Sequence, residues 1–150
     1  MQQDYGANFI ETMRKGQNML AAAPDNLRQI GEVFSQFGRA LGEFSQGKVG
    51  IACVTKEGHQ PIAGDFAVGT PMSVILVSHV RPETPNPIIA DLEVAHYGYP
   101  VTFTLDGSRV PAFSAAAVSD ILTDVAGSSV FAAALRDLMA IEAPKARLDS

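Results

Sequence analysis

The chain has 150 residues, of which 47 % are hydrophobic and 18 % charged, and its formal net charge is −5. That length suits one domain with a substantial core, and no run of 18 or more apolar residues is present to make a transmembrane helix. Residues 1–47 carry 4 positive and 5 negative charges, 48–113 carry 4 and 6, and 114–150 carry 3 and 5, so no segment offers nucleic acid or an anionic membrane a basic footprint.

The first 47 residues read as helical. Asn8 and Glu11 have capping-box spacing, and Phe9, Met13 and Leu20 share a helical face. Ala23-Pro24-Asp25 is expected to break this helix, because proline disfavours helical geometry in the residue before it. Pro24 and Asp25 then suit the first turn of a second helix, which should stop with Gly47 at its C′ position. A two-helix hairpin is the resulting expectation. Within the second helix Leu27, Phe34 and Leu41 recur every seven residues, as do Ile30, Phe37 and Phe44. This is the spacing of a helix–helix seam, and the six residues are candidate subunit-interface residues. Gly31, Gly38 and Gly42 lie beside the seam. Each weakens a helix by about 0.8–1 kcal/mol relative to alanine, so close packing is expected to offset them.

Residues 48–113 change to strand periodicity. "KVGIACVT" and "MSVILVSHV" read as strands, the second apolar on both faces like a central strand, and a further strand could begin near His59. "RPETPNP" must be irregular, since it holds three prolines in seven residues. "IIADLEVAH" alternates Asp91 and Glu93 with Leu92 and Val94. In "VTFTLDGSRVPAF", Asp106-Gly107 predicts a type I′ hairpin pairing Leu105 with Ser108, Phe103 with Val110 and Val101 with Ala112. Pro111 marks the returning strand as an edge.

Residues 114–143 return to helical spacing, with Val118, Ile121, Leu122 and Val125 on one helix. Phe131, Leu135, Leu138 and Met139 follow on another, capped by Ser128 or Ser129. Residues 144–150 are expected to be a loose tail. Segregated runs of this kind predict a single α+β domain: an N-terminal helical hairpin, a mostly antiparallel sheet of five or six strands, and C-terminal helices packed on it.

No motif identifies a reaction. His59, His79 and His96 have no metal-ligand spacing, and neither a nucleophile elbow nor a phosphate-binding glycine frame occurs. No metal or cofactor is expected. Cys53, the sole cysteine, alternates with Ile51 and Thr55 and reads as a buried, inert thiol. His79, alternating with Ile75 and Val77, reads as a buried histidine. "HYGYP" is the most ligand-like loop, with His96, Tyr97 and Tyr99 as candidate ligand contacts and Arg81 as a fork for carboxylate or phosphate.

The first expectation is therefore a non-catalytic, cytoplasmic, self-associating binding protein. Its size and composition suit a bacterial or phage accessory or inhibitor protein with a protein partner. The alternatives are a small-molecule or nucleotide binder using the tyrosine loop, and a hydrolase-type enzyme with acid/base groups dispersed around His79 and His96. An N-terminal signal peptide is not expected, because no basic segment precedes an apolar one.

Overall fold

A computed structural model describes residues 5–56 and 67–143. One helix, α1 (Tyr5–Phe44), precedes five strands: β1 (Val49–Thr55), β2 (Pro71–Ser78), β3 (Ile88–Ala95), β4 (Gly98–Leu105) and β5 (Ser108–Ala112). Helices α2 (Ala115–Ala126) and α3 (Ser129–Met139) follow, set 67° apart. The α+β class stands, with five strands in the antiparallel order β1-β2-β3-β4-β5. The strand expected near His59 lies outside the described residues; β1 pairs with β2 instead, from Val49 opposite Ser78 to Thr55 opposite Met72.

The expected hairpin at the N-terminus is replaced by a single 40-residue helix with Pro24 inside it. Pro24 removes one hydrogen bond, the one Leu20 would have accepted, and ordinarily kinks a helix. Ala21-Ala22-Ala23 before it are the best of helix formers and offer no turn chemistry. Asp25 then accepts hydrogen bonds from Arg28 and Gln29, which restores the helix after the gap. Asn8 is consequently not a cap but lies inside α1, its carbonyl accepting from the Thr12 hydroxyl.

The far end of α1 is a Schellman turn. The Gly47 N–H bonds the Gly42 carbonyl at 2.7 Å and the Gln46 N–H bonds Glu43 at 3.3 Å. The left-handed C′ residue is Gln46, at φ 56°, one position before the glycine expected there. Ser45, fully buried, ties this end to β1: its hydroxyl accepts from the Val49 N–H at 3.0 Å and donates to the Val49 carbonyl.

All three helices pack on one sheet face. That face presents Val49, Val74, Leu76, Leu92, Val94, Val101 and Phe103, and the helices return Ile30, Phe34, Leu41, Val118, Leu122, Phe131 and Leu135. Met72 to Leu76 are all buried, as a central strand requires. At Gly38 α1 lies close against β1: a β-carbon there would lie 3.1 Å from Cγ2 of Ile51. Gly42 faces open space, so close packing accounts for the first of these glycines and not the second. The β4–β5 hairpin has the register its turn predicts, Leu105 opposite Ser108 through Val101 opposite Ala112, with positive φ at both Asp106 and Gly107. Ser114 and Ser128 cap α2 and α3.

Candidate functional site

The seven-residue repeat of α1 is longer than its large residues suggest. Phe9, Gly16, Ala23, Ile30, Phe37 and Phe44 form one row, and Met13, Leu20, Leu27, Phe34 and Leu41 form the other. From Ala23 onward the seam serves the chain's own core. Ala23, Ile30, Phe34 and Leu41 are buried, Leu27 and Phe37 are half-buried against the core, and Phe44 is exposed at the helix end. N-terminal to Ala23 the same seam faces solvent. Phe9 is 63 % exposed, Met13 68 % and Leu20 57 %, and Tyr5, Ile10 and Met19 beside them are also exposed. Gly16 leaves a notch between them, with nothing within 4 Å of the position a β-carbon would take. The arm, Tyr5–Ala22, thus extends the seam about 27 Å beyond the packed body, at ~1.5 Å per residue. The seam was expected to start at Leu27 because Pro24 was expected to divide the helix, which left Phe9, Met13 and Leu20 on a separate one. The signal was the spacing, not the residue size.

Tyr97 and Tyr99 act where the arm leaves the body. The Asn26 side-chain amide donates to the Tyr97 carbonyl at 2.9 Å, and the Tyr99 hydroxyl donates to Gln29 at 3.0 Å. Burial, and then the charge of Asp25, push the Tyr99 phenol above its ordinary pKa. Gly98, at φ +96°, brings the turn so close to α1 that a β-carbon would stand 2.6 Å from that of Asn26. "HYGYP" is therefore a strap across α1, with β4 already begun at Gly98, rather than the open loop its tyrosines suggested.

The other candidate ligand contacts do not join this strap as a set. His96 lies beside Gly69 near the tyrosines. Arg81 follows β2 at the other end of the sheet, where its side chain donates to the Glu142 carbonyl at 2.9 Å. Antiparallel pairing sets Pro71 opposite Glu93 and Ile75 opposite Ile88, which puts the strand ends next to Arg81 and His96 at opposite ends of the sheet. His79 is likewise remote from His96. It is exposed rather than buried, because it lies past the end of β2, with its ring over Gly50 on the sheet face away from the helices.

One polar cluster escaped sequence reading, since its members are 17 and 18 residues apart. The Lys56 ammonium lies 2.6 Å from Asp91 and 3.1 Å from the buried Ser73 hydroxyl, which donates to Asp91 at 2.8 Å. Lys56 holds the Asp91 carboxyl below its ordinary pKa. A carboxylate so stabilised is a poor base for the Ser73 hydroxyl. Cys53 is no better placed, as burial pushes its thiol up to about 12. The described residues contain no group of three or more metal-binding side chains.

Comparison with protein-family models, curated proteins and solved structures finds no match. No single described helix is long and apolar enough to cross a membrane.

Proposed function

We propose that this chain is a non-catalytic interaction protein, an accessory or inhibitor type that works by association, with the N-terminal arm of α1 as its binding element. The observation that carries the reading is one heptad seam, packed in the body and exposed in the arm. An 18-residue helix interrupted by Gly6 and Gly16 is marginal on propensity alone. Its apolar stripe stabilises it only when covered. Covering Phe9, Met13 and Leu20 contributes about 1.5–3 kcal/mol for each side chain. Three residues from each of two partners give about 9–18 kcal/mol against an association cost of about 4–15 kcal/mol. Weak, reversible binding is the expected regime. The cytoplasm is the proposed compartment, where a lone thiol such as Cys53 stays reduced.

The test is the triple substitution Phe9→Ser, Met13→Ser, Leu20→Ser, compared with the wild type by sedimentation over nanomolar to high-micromolar concentrations. Association should vanish while the urea midpoint of the dilute protein is kept. Association that survives the triple change would remove the arm from this role.

A further inference from the structure

We propose that the arm's partner is the arm of a second copy, the two running antiparallel about a two-fold axis that passes between residues 14 and 15. This rests on the arm being the chain's binding element.

The order of large and small residues on the seam selects the direction. In a parallel pair, like meets like in each layer. Gly16 would face Gly16, and because nothing already fills that notch, the layer would hold no side chain at all. Such a void forfeits contacts on both sides. In an antiparallel pair the two rows of the seam exchange partners, so the residues in each layer have numbers that sum to 29. Met13 then seats over Gly16 of the second copy, and Phe9 meets Leu20. The notch at Gly16 is filled in both central layers, and Phe9 packs against Leu20 on either side of them.

The flanks agree with this pairing. Positions beside the seam are Ile10, Thr12, Gln17 and Met19, all uncharged, so the two arms meet without like-charge repulsion. Glu11, Arg14 and Lys15 fall on outward positions, with Lys15 and Glu11 in contact at 3.6 Å on the same helix. Antiparallel arms also carry the two bodies to opposite ends, away from the crowded exit at Asn26 and Gln29. The contact is self-complementary and closes as a dimer, with no open chain of subunits. Two arms of about 27 Å make a short contact, in keeping with weak, reversible exchange.

The deciding experiment is sedimentation velocity of the full chain over a concentration series, for the wild type, Gly16→Met, and the exchange variant Met13→Gly with Gly16→Met. Met13 is exposed and a side chain at Gly16 meets open space, and unchanged denaturation midpoints at low concentration verify the fold. The wild type should dimerise reversibly. Gly16→Met sets two methionines in one layer and should weaken the dimer about tenfold or more. The exchange variant restores one methionine and one glycine to each layer and should return to within a few-fold of the wild type.

A tighter dimer on Gly16→Met would mean a parallel pair with its hole filled, and would overturn the proposal. So would a weakened dimer that the exchange does not rescue. Equal dimerisation of all three variants would overturn both this pairing and the arm as binding element. A wild type that stays monomeric overturns the pairing alone; binding to phosphatidylglycerol vesicles would then show the arm to be a surface-seeking helix.

Discussion

The two halves of α1 carry the same seven-residue repeat and meet opposite fates. From Leu27 to Leu41 the seam packs into the core shared with the sheet, α2 and α3, and Gly38 lets the backbone approach Ile51. From Phe9 to Leu20 it is exposed, and Gly16 approaches nothing. Periodicity therefore says that a stripe is to be covered, and does not say by which chain. Proline marks the boundary, and the Tyr97–Tyr99 strap fixes it.

The contrast can be broken most sharply by truncating equivalent rings. Phe34→Ala should cost about 3–5 kcal/mol in urea denaturation, the usual effect of emptying a packed aromatic site. Phe9→Ala, at a concentration too low for association, should stay within about 0.5 kcal/mol of the wild type. A comparable loss from both would mean that the arm folds with the body. Gly98→Ala tests the boundary itself. A side chain there combines a left-handed backbone with a collision against Asn26, and a destabilisation of about 2–3 kcal/mol is expected. Ser45→Ala, at the other end of α1, should cost about 1–2 kcal/mol by stranding the buried Val49 N–H.

Paired glycine substitutions sharpen the comparison further. Gly42→Ala meets open space and should stabilise the body by about 0.8–1 kcal/mol. Gly16→Ala in dilute protein should raise the helical circular-dichroism signal without moving the denaturation midpoint. The smallest effect concerns acid. Because the Asp91 carboxyl is depressed by Lys56, its contribution is present above the ordinary carboxylate pKa of about 3.9 and is lost as pH falls through the folded value. Lys56 and Asp91 are both partly exposed, so solvent screening holds the contribution below about 1 kcal/mol. Asp91→Asn should flatten the acid limb of stability measured between neutral pH and pH 3 by no more than that.

How much could be read in advance follows from how local each cause is. The β4–β5 register was fully legible, because Asp106-Gly107 defines the turn and alternation defines the faces. Ser128 as a cap and the buried faces of α2 and α3 were legible for the same reason. The continuity of α1 was not, since the local rule for Pro24 competes with the alanines before it and the bonds of Asp25 after it. The contacts of the strap were not legible, because the partners of Tyr97 and Tyr99, Asn26 and Gln29, lie about seventy residues away. His79 alternates like a core residue, but it follows the strand's end on the face the helices leave open. The Lys56–Ser73–Asp91 cluster exists only through strand pairing.

The sheet order has a consequence for how the chain reaches this state. Each strand pairs only with its neighbours in sequence, β1 through β5 without a crossover, so zipping the sheet closes short loops one after another. Low contact order of this kind favours rapid folding for a β-rich domain. The long helix leaves the ribosome before those strands, its inward stripe unclaimed until the sheet arrives to receive it.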